Sequence, residues 1–259
     1  MSRKSALEGH IKDKLQQQDI LLMSHIVLGY PSLQANREVI RAMVAGGVDL
    51  MELQIPFSEP IADGPTIARA NQAALDGGFK VREGLAFIRE VVAAFNIPFL
   101  IMTYTNILMA YGVERFIDEV ADIGVKGLII PDLPLEQAQA AIEQCRAKGM
   151  DWIGLMTPTS VDERLGKIGA AADGFVYCVA RRGVTGSKTS FDEHVGAFMH
   201  RCRQATPVPL AVGFGVRSAE DVDYLKGKAE IAVVGSAALD LFDQAGAAAL
   251  EPFFRGLRG

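Results

Sequence analysis

Short, almost wholly apolar runs recur along this chain, and most are followed by a stretch with helical spacing. The runs are Leu21–Val27, Val48–Leu53, Pro98–Met102, Lys126–Ile130, Trp152–Met156, Gly174–Val179, Val208–Val212 and Ile231–Val234. They do not alternate polar with apolar residues, so both faces must be buried, which suits parallel strands. Between them Val39, Ile40, Met43 and Val44 stop at Gly46-Gly47; Phe116, Ile117, Val120 and Ile123 stop at Gly124; Ala138, Ala141, Ile142 and Cys145 stop before Gly149. A glycine just past a periodic run is a helix stop. Ser5 with Glu8, and Ser160 with Glu163, have capping-box spacing, and Asp192 and Ser218 are placed to cap the helices after them.

Eight such strand–helix units with no linker between them predict one domain over residues 1–259, a single (β/α)8 TIM barrel. Its length of 259 residues is ordinary for that fold. The gap from the second strand to the third is long enough for an extra helix, giving two, near Thr66–Leu75 and Val81–Phe95. An extra N-terminal helix is expected at Ala6–Gln17. A doubly wound open sheet is the rival, but no G-x-G-x-x-G follows the first strand.

A net charge of −5 and a pI near 5.5 argue against nucleic acid or an anionic membrane as partner. No apolar run reaches a membrane span, and the opening M-S-R-K-S-A-L-E-G-H lacks the core of a signal peptide. Cys145, Cys178 and Cys202 lie in apolar patterns and read as buried thiols in a reducing cytoplasm. The four histidines show no ligand pairing, so no metal is expected.

Barrel enzymes carry their chemistry at the carboxyl ends of the strands. Glu52 lies there on the second strand, and Asp63 follows in the loop P-F-S-E-P-I-A-D-G-P. An acid on a rigid strand end with a second on the next loop suits proton transfer. Asp132 at the end of the fourth strand, Tyr104 and Asn106 after the third, and Tyr177 in the sixth are further candidates. Gly213-Phe214-Gly215 after the seventh strand and Gly235-Ser236 after the eighth have the form of a phosphate cradle, since backbone N–H groups and a helix N-terminus attract a dianion. The polar segment Arg181–Ser190, with hinges at Gly183 and Gly186, reads as a closing lid, and Gly186 can add a donor to the phosphate. No Lys stands at a strand's carboxyl end for a Schiff base, no histidine set for a metal aldolase, and no Gly-x-Ser-x-Gly elbow is present. Carboxylate acid–base chemistry on a phosphorylated substrate remains.

Over essentially its whole length the chain resembles the tryptophan synthase α-subunit family. The resemblance is carried by L-G-Y-P-S at Leu28–Ser32, M-E-L-Q-I-P-F-S-E-P-I-A-D-G-P-T at Met51–Thr66, Y-T-N at Tyr104–Asn106, P-D-L-P at Pro131–Pro134, R-R-G-V-T-G at Arg181–Gly186, G-F-G at Gly213–Gly215 and V-G-S-A at Val234–Ala237. The P-F-S-x-P-x-A-D-G-P run is the specific one; G-F-G and V-G-S occur in several phosphate-binding barrels.

The resemblance implies retro-aldol cleavage of indole-3-glycerol phosphate to indole and glyceraldehyde 3-phosphate. Glu52 would be the general acid–base, Asp63 would hold the indole N–H and stabilise the ring cation, and Tyr177 would position substrate and Glu52. Gly186, Gly215, Gly235 and Ser236 would hold the phosphate. Met102, Ile129, Leu155 and Phe214 would wall the indole, with His25 in a position that usually lines it; each singly is equally readable as barrel core. Arg181, Gly183 and Thr185 belong to the lid, Thr185 bonding Asp63 on closure. An α2β2 complex is implied, with Pro56, Glu59 and Asn106 on the face toward the β subunit. No cofactor is expected in this chain, pyridoxal phosphate belonging to the β subunit. Three positions depart from the family pattern: Glu59 replaces an Asp, Gln54 a Gly, and His25 an aromatic residue. A lyase that works without a partner, and a binding protein that has lost catalysis, are the alternatives; retention of Glu52 and Asp63 speaks against the latter.

Overall fold

The computed structural model describes residues 5–179, 188–213 and 215–258, with residues 188–194 described in backbone only. Nine strands are present among them: β1 (Leu21–Val27), β2 (Leu50–Gln54), β3 (Phe99–Met102), β4 (Gly127–Ile129), β5 (Asp151–Trp152), β6 (Gly154–Met156), β7 (Val176–Val179), β8 (Leu210–Gly213) and β9 (Ile231–Val234). Every pairing is parallel, in the order β5-β4-β3-β2-β1-β9-β8-β7-β6. The two ends of that order, β5 and β6, are consecutive in the chain and separated only by Ile153, whose N–H still bonds Leu128 O at 3.0 Å. The ring therefore closes, and the expected fifth strand is present as two pieces.

Alternation along each strand sorts side chains between two cores. Leu21, Met23, Leu50, Leu100, Phe175 and Ile231 fill the barrel interior, and Leu7 and Ile11 of the N-terminal helix Ala6–Lys14 close its lower end. Leu22, Met51, Leu53, Ile101 and Val212 face outward and pack against the helical shell. The helix Val113–Ile123 shows why that shell holds. Phe116, Ile117, Val120 and Ile123 recur at helical spacing and are buried, each worth roughly 1.5–3 kcal/mol on burial. Gly124, at φ 101°, then takes the left-handed conformation that ends the helix.

Both helices expected between the second and third strands are present, Pro65–Asp76 and Val81–Ala94. Ser5 caps the first helix by accepting from Glu8 N, and its hydroxyl also donates to buried Asp151 on the barrel floor. Ser218 forms a full capping box with Asp221. Two expected caps differ. Ser160 pairs its hydroxyl with Thr157 at 3.0 Å, so the next helix starts after Val161; Asp192 lies inside the helix Lys188–Ala205 rather than before it. That helix also takes in Lys188–Ser190, the last residues of the expected lid. A further helix not expected from the sequence, Thr105–Tyr111, follows β3. No described helix is long and apolar enough to cross a membrane.

Candidate active site

At the carboxyl end of the barrel lies a cavity of about 200 Å3. His25, Glu52, Asp63, Tyr177, Gly213, Gly215, Gly235 and Ser236 line it, with Met102, Ile129, Leu155 and Val233 as apolar wall. The strands place these groups directly. His25 and Glu52 are register partners across β1 and β2, so their side chains leave the sheet side by side. Tyr177 stands on β7, level with Leu155 and Ala211.

Glu52 is buried, with 1% of its surface exposed, and its Oε1 lies 3.4 Å from His25 Nδ1. Its Oε2 makes no hydrogen bond. Burial pushes the His25 imidazole toward its neutral form, but the charge of Glu52, with smaller contributions from Asp63 and Gln54, outweighs it and raises the His25 pKa. Across the cavity, burial first and the charges of Glu52 and Asp63 second push the Tyr177 phenol well above its ordinary range, so it stays protonated.

Asp63 enters from the loop after β2. Its Oδ2 accepts from Gln54 Nε2 at 2.6 Å and from Tyr104 OH at 3.1 Å. Tyr104 OH in turn accepts from Ala62 N at 3.3 Å, and its ring stacks on Phe57 with centroids 4.9 Å apart. The loop is held at its other end by buried Asn71, whose Oδ1 accepts from Phe57 N at 2.9 Å while Nδ2 donates to Ile67 O. Burial raises the Asp63 pKa, opposed by His25, Gln54 and Tyr104. An acid held by neutral donors and facing the cavity is suited to answer a positive charge that develops there.

The opposite rim is built from backbone. The helix Ser236–Ala245 opens at the cavity with Gly235 as its N-cap and no side-chain cap, leaving first-turn N–H groups for an anion. Gly215, at φ 74°, turns the chain after β8. No Lys or Arg is among the described lining residues. No group of three or more His, Cys, Asp or Glu among the described residues is arranged to hold a metal.

The structure thus brings Glu52, Asp63, Tyr177, His25, Met102, Ile129, Leu155, Gly215, Gly235 and Ser236 to one cavity. Arg181, Gly183, Thr185, Gly186 and Phe214 lie outside the described residues. Asp132 is not at the cavity: it accepts from Thr105 N and Oγ1, both at 2.9 Å, and so fixes the start of the helix Thr105–Tyr111. Glu59 and Asn106 are exposed beside the mouth, whereas Pro56 is buried and cannot itself present a surface. Sequence reasoning passed over Ala62, Gly64, Ile67, Val179 and Val233 on the cavity wall, and Asn71 behind the loop. Only Asn71 carried a signal, a polar side chain on the apolar stripe of a helix.

A sequence model described as "Tryptophan synthase alpha chain" matches residues 11–251. The tryptophan synthase alpha chain of Syntrophotalea carbinolica is 51% identical, over 97% of this chain and 100% of that one. That of Desulforapulum autotrophicum is 49% identical, over 97% and 99%. Among solved structures, Mycobacterium tuberculosis tryptophan synthase superposes with a TM-score of 0.90 at 33% identity, over 99% of this chain and 98% of that one. A chain of the Pyrococcus furiosus a2b2 complex gives 0.86 at 33% identity, over 93% and 98%.

Proposed function

The chain belongs to the tryptophan synthase alpha chain family, and from that premise we propose that Glu52 and Asp63 divide the proton and charge handling of its reaction. The alpha chain is a lyase that cleaves indole-3-glycerol phosphate to indole and glyceraldehyde 3-phosphate, and it works with a beta chain. Its family uses no cofactor of its own.

The reaction needs a proton added at indole C3 and a proton removed from the adjacent side-chain hydroxyl. Protonation at C3 leaves the positive charge on the ring nitrogen. The C–C bond then breaks, its electron pair restores the neutral ring, and the hydroxyl oxygen becomes the aldehyde carbonyl. Glu52, with Oε2 unbonded beside the cavity, takes the hydroxyl proton and supplies the one at C3. Asp63 accepts the indole N–H and answers the ring cation. Tyr177, protonated and against Glu52, orients that carboxylate and the substrate hydroxyl. Gly215, Gly235 and Ser236 receive the phosphate, joined by Gly186 on the lid with Arg181, Gly183 and Thr185. Met102, Ile129, Leu155 and Phe214 sandwich the indole.

One observation carries this reading: two acids and a glycine-lined helix N-terminus face each other across a single cavity. The beta chain docks over the mouth, where Glu59 and Asn106 are exposed and Ile61 and Met109 stand 70% and 64% exposed. Pyridoxal phosphate is held by that partner. The whole chain works as one barrel domain in the cytoplasm.

The test is indole release from indole-3-glycerol phosphate by purified chain, with and without a beta chain, in wild type and Glu52→Gln. Wild type should turn over, faster with the partner, and Glu52→Gln should not. Near-normal turnover by Glu52→Gln removes Glu52 from the mechanism.

A further inference from the structure

Each acid of this site meets a buried strand residue at one carboxylate oxygen. On Glu52 that oxygen is Oε1, 3.4 Å from His25 Nδ1, while Oε2 makes no hydrogen bond. On Asp63 the described hydrogen bonds converge on Oδ2, from Gln54 Nε2 at 2.6 Å and Tyr104 OH at 3.1 Å. His25 and Gln54 are buried strand residues, 6% and 0% exposed, so neither can swing away as a surface side chain would. Register alone sets the first pair, because His25 and Glu52 face each other across β1 and β2. Gln54 lies two residues beyond Glu52 on the same strand and therefore on the same face.

We propose that His25 and Gln54 are the positioning residues of this site, His25 fixing Glu52 through Oε1 and Gln54 fixing Asp63 through Oδ2, so that each acid turns its other oxygen to the substrate. The inference rests on reading Glu52 and Asp63 as the reacting acids. A glutamate has three rotatable bonds, and an acid free to rotate in a dry cavity spends little time in the one orientation that reaches the reacting carbon. A misplacement of about 1 Å can cost roughly 100-fold in rate. A partner that occupies one oxygen removes that freedom without blocking the other.

The acids in turn act on the charge of His25. The titratable groups described around it are Glu52 on β2, Asp63 on the following loop, Tyr177 across the cavity and Tyr30 in the narrow crevice behind its ring. Toward the helix Ser236–Ala245 it shares the crevice with Ala238, Leu239 and Phe242, none of them charged. No described Lys or Arg lines either space. The two carboxylates thus answer the imidazolium and hold the His25 pKa above its ordinary value.

The experiment pairs kinetics with an independent spectroscopic readout. In the complex with a beta chain, kcat and KM for indole-3-glycerol phosphate cleavage are measured for wild type, His25→Phe, Gln54→Met and Glu52→Gln. His25→Phe should lower kcat by roughly ten-fold or more. Gln54→Met cannot donate to Asp63; it should lower kcat by a similar factor with KM within about two-fold. In the chain alone, the 15N resonances of the His25 ring should titrate above the ordinary 6.5 in wild type and at a lower pH in Glu52→Gln. A wild-type kcat in His25→Phe and Gln54→Met, or a His25 titration indifferent to Glu52→Gln, overturns the proposal even if either strand variant folds poorly. Full turnover by Glu52→Gln instead overturns the acid reading beneath it.

Discussion

Thr66 donates its hydroxyl to Asp240 Oδ1 at 3.0 Å, and this bond joins the two sides of the active site. Thr66 opens the helix that follows Asp63, and Asp240 sits in the first turns of the helix that starts at the phosphate rim. Arg217 approaches Asp240 from the loop after β8 at 3.3 Å, while one turn further along Arg69 pairs with Asp243 at 2.6 Å. The acid loop and the glycine rim are therefore spaced by side chains, with no backbone bond between them among the described residues. Thr66→Val keeps the shape and removes the donor. It should lower kcat/KM by roughly five-fold, the equivalent of about 1 kcal/mol for one hydrogen bond, with Tm changed by only a few degrees. Unchanged kinetics in that variant would show that the two helices hold their spacing without this bond.

Asp63 should trade stability for activity. Burial raises its pKa above the ordinary 3.8, so between those two values the folded chain binds more protons than the unfolded one. Stability then falls as pH rises through that window, and the loss persists at neutral pH. Asp63→Asn removes the charge while keeping an oxygen for Gln54 and Tyr104. Its turnover should drop by about 100-fold or more, while its Tm at pH 7 should equal or exceed that of wild type. At a pH below the ordinary 3.8 the Tm difference should vanish. A clear loss of Tm at pH 7 would show that ionised Asp63 is a structural anchor.

The barrel was legible because parallel strands buried on both faces leave continuous apolar runs, and because glycines stop the helices between them. The place of Glu52 at the cavity was legible because an acid at the carboxyl end of a barrel strand faces the mouth. What escaped the sequence depends on contacts between distant residues. Asp132 reads as a mouth acid from its place after a strand, yet it is committed to Thr105, 27 positions away. That contact also explains the unforeseen helix Thr105–Tyr111, too short to announce itself by periodicity. Ser160 has capping-box spacing to Glu163, but its hydroxyl finds Thr157 instead. Gln54 read only as a departure from the family's Gly; its bond to Asp63 spans nine positions and a turn of the loop.

Gly235 separates steric from electrostatic demands at the phosphate rim. Among the described residues, a Cβ built there meets nothing nearer than the His25 Cβ at 3.5 Å. Gly235→Ala should therefore leave KM for indole-3-glycerol phosphate within about three-fold of wild type. On the proposed phosphate placement, Gly235→Asp puts a negative charge beside the substrate phosphate and should raise KM by about ten-fold or more, most strongly at low salt. Equal KM values for the two variants would move the phosphate away from this rim.

At Gly213 the demand is steric, and it runs through Tyr177. A Cβ at this position falls 2.8 Å from Tyr177 Cε1 and 3.2 Å from its hydroxyl, so the ring must give way. The displaced ring is the one that stands against Glu52. Overpacking of this kind costs about 1–3 kcal/mol of stability, which a barrel of this size tolerates, but a shift of the phenol by a fraction of an ångström changes how Glu52 is held. Gly213→Ala should fold and still lose roughly ten- to 100-fold in kcat. If the loss travels through the ring, Gly213→Ala should add little in a Tyr177→Leu background, where the ring atoms it strikes are gone. The coupling between the two substitutions, read from the four kcat values, should then be a large fraction of the single effect. Additive losses would mean that Gly213 acts on the neighbouring Gly215 turn and not on the acid.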